Sequence, residues 1–220
     1  MAYVDFVGAL HTATRRDYVQ RVVEHDKAAC AELAGRFGRD YWDGERKHGY
    51  GGYRYDGRWR KVADLFAAHY GLKSGMRVLD VGCGKGFLLH DLTRAVPGIE
   101  IAGIDISDYG IDNAKDEVKP FLSVGCATRL PWPDRQFDFV YSINTLHNLK
   151  APDLAAAAAE IERVARGPKH VTVESYRNER EKANLLYWQL TCRAFHTPEE
   201  WQWVLARAGY TGDLGCIFFE

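Results

Sequence analysis

The chain predicts an α/β fold, an open and mostly parallel sheet with helices on both faces. Two observations carry this reading. Short apolar runs such as "MRVLDVG" and "FDFVYSI" recur without polar alternation, as in strands buried on both faces. Amphipathic stretches of helical period separate them, so strands and helices alternate and right-handed β-α-β crossovers follow.

In chain order, "TRRDYVQRVVEHDKAACAELAGRF" and "GRWRKVADLFAAHY" read as helices on either side of a ring- and glycine-rich stretch, "GYGGYRYDGRW" (49–59). From Gly75 the alternation begins. "MRVLDVG" is a strand, "FLLHDLTRAV" a helix stopped by Pro97-Gly98, and "IEIAGIDI" a second strand. "DYGIDNAKDEV" is a helix and "FLSVG" a third strand; "FDFVYSI" is the fourth. "APDLAAAAAEIERVARG" is a helix with Asp153 near its start and Gly167 at its end, and "HVTVES" the fifth strand. "ANLLYWQLTCRAFH" reads as an extra helix. "TPEEWQWVLARAG" sets Thr197 and Glu200 in capping-box spacing, and "LGCIFFE" is a last strand. The expected organisation is one folding unit: an N-terminal helical cap with the aromatic-glycine segment over residues 1–59, and the sheet domain over 60–220.

The totals exclude several functions. At 220 residues the chain suits one domain. A formal net charge of −1 offers no global attraction to nucleic acid or an anionic membrane, and no apolar run approaches spanning length. Cys30, Cys83, Cys126, Cys192 and Cys216 are scattered and never form a C-x-x-C, which predicts a reducing cytoplasm and no disulfide framework. The histidines have no ligand-like spacing, so no metal is expected.

Ligands of such sheets bind beyond the carboxyl ends of the strands. "VLDVGCGKGF" puts Asp80, Gly82, Gly84 and Gly86 at the first strand-to-helix turn, where glycines let backbone N–H groups approach a ligand. A dinucleotide fingerprint would place its third glycine at position 87, which is phenylalanine. The Asp80 carboxylate suits an amine-bearing ligand better than a pyrophosphate. Asp105, 25 residues later at the end of the second strand, can accept both hydroxyls of a ribose.

With these pieces in place, the chain resembles the class I S-adenosylmethionine-dependent methyltransferases, specifically the ubiquinone/menaquinone-methyltransferase-like group. "VLDVGCGKG", "GIDIS", "GCATRLPWPDRQFDFVYSINTLHNL" and "TPEEW…AGY" match in order and spacing over about residues 60–220. The resemblance implies a Rossmann-like sheet with its last strand antiparallel, near residues 215–219, and S-adenosyl-L-methionine as cofactor. It implies that Gly82, Gly84 and Gly86 border the methionine part, that Asp80 holds its amino group, Asp105 the ribose, and that Ile106 packs on the adenine. The family's usual G-D-A reads Gly125-Cys126-Ala127 here, so the adenine amino group falls to Thr128 or to backbone around Ala127. Asn144, after the fourth strand, joins the expected cofactor contacts.

Methyl transfer from a sulfonium needs alignment, exclusion of water and, for a protonated nucleophile, a base. His147 and Glu174 are the catalytic candidates. His147 can serve as base or simply pack, and Glu174 can meet substrate or pair with Arg177. Tyr176 and Arg177 are candidate substrate contacts. The stretch 49–59 can be a stacking platform, a linker, an anchor for the cap or a lid; the lid reading puts Tyr50, Tyr53 and Arg54 against the substrate. The function expected is methyl transfer to an oxygen or nitrogen of a small metabolite, by a monomer or homodimer. The alternatives are an RNA or protein methyltransferase and a non-catalytic cofactor-binding subunit.

Overall fold

A computed structural model describes residues 1–12 and 16–220. Six strands form one sheet in the order β3-β2-β1-β4-β5-β6: β1 (Arg77–Val81), β2 (Glu100–Asp105), β3 (Leu122–Val124), β4 (Phe139–Ile143), β5 (Lys169–Ser175) and β6 (Asp213–Phe218). Ahead of the sheet lie α1 (Gly8–Thr12), α2 (Tyr18–Val23), α3 (Lys27–Ala34), α4 (Arg39–Trp42) and α5 (Arg60–Tyr70). The crossovers carry α6 (Phe87–Ala95), α7 (Asp108–Asp112), α8 (Ala151–Val164), α9 (Glu179–Trp188) and α10 (Pro198–Arg207).

The apolar strands are unbroken because both faces are covered. Leu79, Val81 and Val140 pack with Ile161 of α8 and Trp201 of α10 on one side. Val78, Phe139 and Tyr141 pack with Phe66 of α5 and Leu89 of α6 on the other. Phe66 has no exposed surface, so its truncation to alanine removes on the order of 3–5 kcal/mol of stability. Strand order reverses between β1 and β4, which opens a crevice at their carboxyl ends.

The last strand corrects the expectation of an antiparallel edge. β6 runs parallel to β5, in register from His170↔Asp213 to Ser175↔Phe218. Reversal would need a hairpin with an outer strand. Here one crossover through α9 and α10 returns the chain to the end where β5 began, and the short turn after α10 can only start a parallel strand. Its outer edge is covered by the N-terminus, where the Val4 N–H donates to Leu214 O and the Leu214 N–H to Ala2 O.

Helix boundaries differ from the periodicity. The first predicted helix begins at Thr14, and residues 13–15 lie outside the described residues. It breaks after Val23 because the Asp26 carboxylate caps a new helix at the Ala28 and Ala29 N–H groups. The helix predicted from Asp108 to Val118 closes at Asp112, and the alanine-rich one at Val164. The extra helix is α9, ending at Trp188; the segment after it is irregular.

Candidate active site

The β1–α6 turn needs its glycines. Gly82 (φ +89°) and Gly84 (φ +53°) are left-handed, and a Cβ would strike Thr145 at the first and the Trp42 ring at the second. Asp105, at the end of β2, ties this turn to the next. Its carboxylate accepts the Gly84 N–H at 2.7 Å and the Ser107 N–H at 2.8 Å. Asp80 is buried, and burial raises its carboxyl well above the usual range. Among the described residues no basic side chain offsets that cost; the Tyr141 hydroxyl beside it is neutral.

The cap closes over this turn. The Trp42 indole N–H donates to Ser107 Oγ at 2.8 Å, and its ring stacks on Tyr50 with centroids 5.3 Å apart. Tyr53 stacks on Phe87 at 4.9 Å, and its hydroxyl accepts the Trp59 N–H. Lys85, within the glycine turn, fastens the segment: its ammonium donates to Tyr53 O at 2.9 Å and pairs with Asp43 at 2.7 Å. The aromatic segment therefore lies on the glycine-turn face. Beneath it is a cleft of about 60 Å³ lined by Asp80, Gly82, Cys83, Gly84 and Asn144.

The donor chemistry of this cleft fits S-adenosylmethionine. Asp80 is a buried acid lacking a cationic partner, as an ammonium group requires, and the glycine turn leaves room for close backbone approach. The Trp42–Tyr50–Tyr53 roof leaves this cleft narrow.

Asn144 joins this cleft to a larger one. It follows β4 directly at φ +56°, and its Oδ1 is buried without a partner. On its far side is a cavity of about 410 Å³ walled by the cap, by β4 and β5 ends and by the segment after α9. Glu174 and His147 meet at its inner end, both nearly fully buried. His147 Nδ1 accepts the Glu174 N–H at 3.3 Å, which leaves the proton on Nε2, 3.4 Å from Glu174 Oε2. Burial lowers His147 to about 3 and raises Glu174 to about 8. Gln189 donates to the other Glu174 oxygen. Glu174 Oε2 lacks a well-formed hydrogen bond. The arrangement presents one acid with a spare oxygen, held by a neutral imidazole.

The structure brings Tyr50, Tyr53, Arg54, Asn144, His147 and Glu174 to this cavity. Tyr176 and Arg177 lie outside its lining: Tyr176 is in the core, and Arg177 pairs with Glu181 and Glu220. Gly86 starts α6, packed toward Val118 and Leu122. Ile106 is 58% exposed just past β2, and Thr128 Oγ1 lies 3.0 Å from the exposed Cys126 thiol, with Ala127 packed on the core behind them. Sequence reasoning missed Trp42, Lys85 and the arginines of α2 and its surroundings. Lys85 stood inside the glycine motif, where a buried lysine is a readable oddity; Trp42 carried no local signal.

No group of three or more His, Cys, Asp or Glu among the described residues is arranged to hold a metal ion, and no helix there is long and apolar enough to cross a membrane.

Comparison with known proteins adds independent findings. A family model described as a methyltransferase domain matches residues 72–209. A sterol 24-C-methyltransferase of Gibberella zeae is 36% identical over 108 residues, covering 44% of this chain and 27% of that protein. The 27-O-demethylrifamycin SV methyltransferase of Amycolatopsis mediterranei is 29% identical over 113 residues, covering 48% of this chain and 40% of that one. The chain thus matches about a quarter of the length of its sterol relatives. Among solved structures, the [4+2]-cyclase SpnF is 25% identical with a TM-score of 0.55, covering 95% of this chain and 73% of that one.

Proposed function

The chain belongs to the class I methyltransferases, with S-adenosyl-L-methionine as cofactor, and from that premise we propose that it methylates an oxygen or nitrogen of a small-molecule metabolite. The observation that carries the proposal is Asn144, which lines both the cofactor cleft and the Glu174 cavity. A space of about 410 Å³ suits a small acceptor. The finer likeness, to the ubiquinone/menaquinone-methyltransferase-like group, rests on the order and spacing of the motifs. A cytoplasmic setting rests on five cysteines that are all free thiols.

Asp80 would hold the cofactor's amino group and Asp105 its ribose, with Gly82 and Gly84 against the methionine part and Ile106, Ala127 and Thr128 around the adenine. When bound, the cofactor supplies an electrophilic methyl group. Asn144 offers its free carbonyl oxygen to an acceptor N–H or O–H. Glu174, once ionised, takes the acceptor's proton on Oε2. His147 does not take it directly, because Nδ1 is engaged by backbone and Nε2 already bears hydrogen; it positions Glu174 and donates to its ionised form. Tyr50, Tyr53 and Arg54 close the cavity and exclude water.

One observation favours a second reading. A protein named for ring closure and not for methyl transfer covers 95% of this chain, so cofactor binding without methyl transfer is the alternative. Incubation with methyl-labelled cofactor and a metabolite extract separates the two. The proposal expects label in a small, base- or acid-stable ether or amine product. Cofactor binding with no labelled product across extracts contradicts it.

A further inference from the structure

Arg21 of α2 and Arg46 converge on one ring. Their guanidinium carbons lie 4.5 and 5.4 Å from the centroid of Trp188, at the end of α9, and Arg16 approaches the same ring at 5.4 Å. All of these side chains line the 410 Å³ cavity. Burial lowers the proton affinity of Arg16 and Arg21, and Arg46 lowers both further, while Tyr18 and Glu174 raise that of Arg16.

No carboxylate among the described residues forms an ion pair with Arg21 or Arg46. Their hydrogen bonds go to backbone: Arg21 Nε donates to Trp188 O at 2.8 Å, and Arg46 donates to Tyr50 O at 2.8 Å. Each fork keeps further N–H groups. The acids of the cavity do not balance this charge. Asp56 is paired with Arg58, and Glu174, raised to about 8, is mostly neutral at pH 7. Lys27 adds a further cation behind the ring wall, donating to Tyr187 O and Gln189 O.

We infer that the outer end of this cavity is an oxyanion subsite, in which Arg21 and Arg46, flanked by Arg16 and the Trp188 ring, hold a carboxylate or phosphate group of the methyl acceptor. The inference rests on the methyl-transfer reading only for calling the ligand the acceptor. Planar forks match both anions bidentately, and an anion between them relieves their mutual repulsion. The acceptor would then span the cavity, its anionic end at Trp188 and its reacting atom near Asn144 and Glu174.

The test is calorimetric titration of the full chain with benzoate and, separately, inorganic phosphate, at matched ionic strength. Saturable binding of either is expected, with the tighter probe naming the group. Arg21→Gln with Arg46→Gln keeps donors for the backbone carbonyls and removes the charge; it should weaken that probe by at least about tenfold. S-adenosylhomocysteine affinity should be unchanged in the same variant, which also reports that the fold survives. Should the pair fold poorly, Arg21→Lys with Arg46→Lys is the second variant, expected to keep binding but less tightly than wild type. The inference is overturned if neither probe saturates, or if the Gln pair binds the probe as wild type does. Failure of S-adenosylhomocysteine to bind wild type would instead strike the methyl-transfer reading and leave the probe result to stand alone.

Discussion

His147 and Glu174 meet at two points: the Glu174 backbone N–H donates to His147 Nδ1, and His147 Nε2 lies 3.4 Å from Glu174 Oε2 without a well-formed hydrogen bond. The imidazole is thereby locked in one tautomer and one orientation. In the proposed base role Glu174 must lose its proton to accept another; since burial holds it to about 8, kcat/KM should rise with pH and level off above about 8. Glu174→Gln should flatten that limb and lower the rate by on the order of 10²–10⁴. His147→Phe keeps a ring but removes the N–H, so its limb should move to higher pH. A pH–rate profile of the three proteins checks both statements.

The same acid leaves a stability signature. The unfolded chain releases this proton near 4.5 and the folded chain near 8, so Glu174 stabilises the fold least above pH 8 and stability falls as pH rises between those values. Comparing wild type with Glu174→Gln by denaturant unfolding should show the variant gaining, relative to wild type, on the order of 3–5 kcal/mol from pH 4.5 to 8. A constant difference across that range would mean the carboxyl is ionised in the fold.

The two strand-end acids should govern cofactor affinity. Asp105→Ala removes a charged acceptor at the proposed ribose position, and Asp80→Asn removes the charge at the proposed ammonium position. Each should weaken S-adenosylhomocysteine by on the order of 1–3 kcal/mol in calorimetry. Neither should create affinity for NAD.

Lys85 is the latch of the aromatic roof. Its replacement by methionine strips the ammonium from Tyr53 O and from Asp43, which keeps the Tyr53 N–H at 3.0 Å and the Tyr109 hydroxyl at 2.9 Å. Lys85→Met should cost about 1–3 kcal/mol and speed amide hydrogen exchange over residues 49–55. Trp42 reports the roof's movement: tryptophan emission should change when S-adenosylhomocysteine is added, and Trp42→Phe should remove most of that change.

Much of the fold was legible because burial on both faces writes itself into the strands as unbroken apolar runs, as in Val78–Val81. The glycine turn was equally readable, since Gly82 and Gly84 need left-handed backbone. The direction of β6 was not, because it depends on which end of the sheet α10 delivers the chain to, and no residue of "LGCIFF" encodes that. In the site, Asp80, Asn144 and Glu174 were visible as polar residues closing apolar strands. Arg16, Arg21 and Arg46 were not, since each sits in a stretch that reads as a solvated surface, and only the distant Trp188 gathers them. Arg177 misled for a local reason: Glu181, one helical turn on, neutralises it.

The most direct test of the central claim is a crystal structure with S-adenosylhomocysteine bound. The account predicts its amino group against Asp80, its ribose at Asp105, and its sulfur facing the Glu174 cavity past Asn144, with Trp42, Tyr50 and Tyr53 displaced from their present positions. A ligand seated elsewhere, or one whose sulfur points away from Asn144 and Glu174, would contradict it.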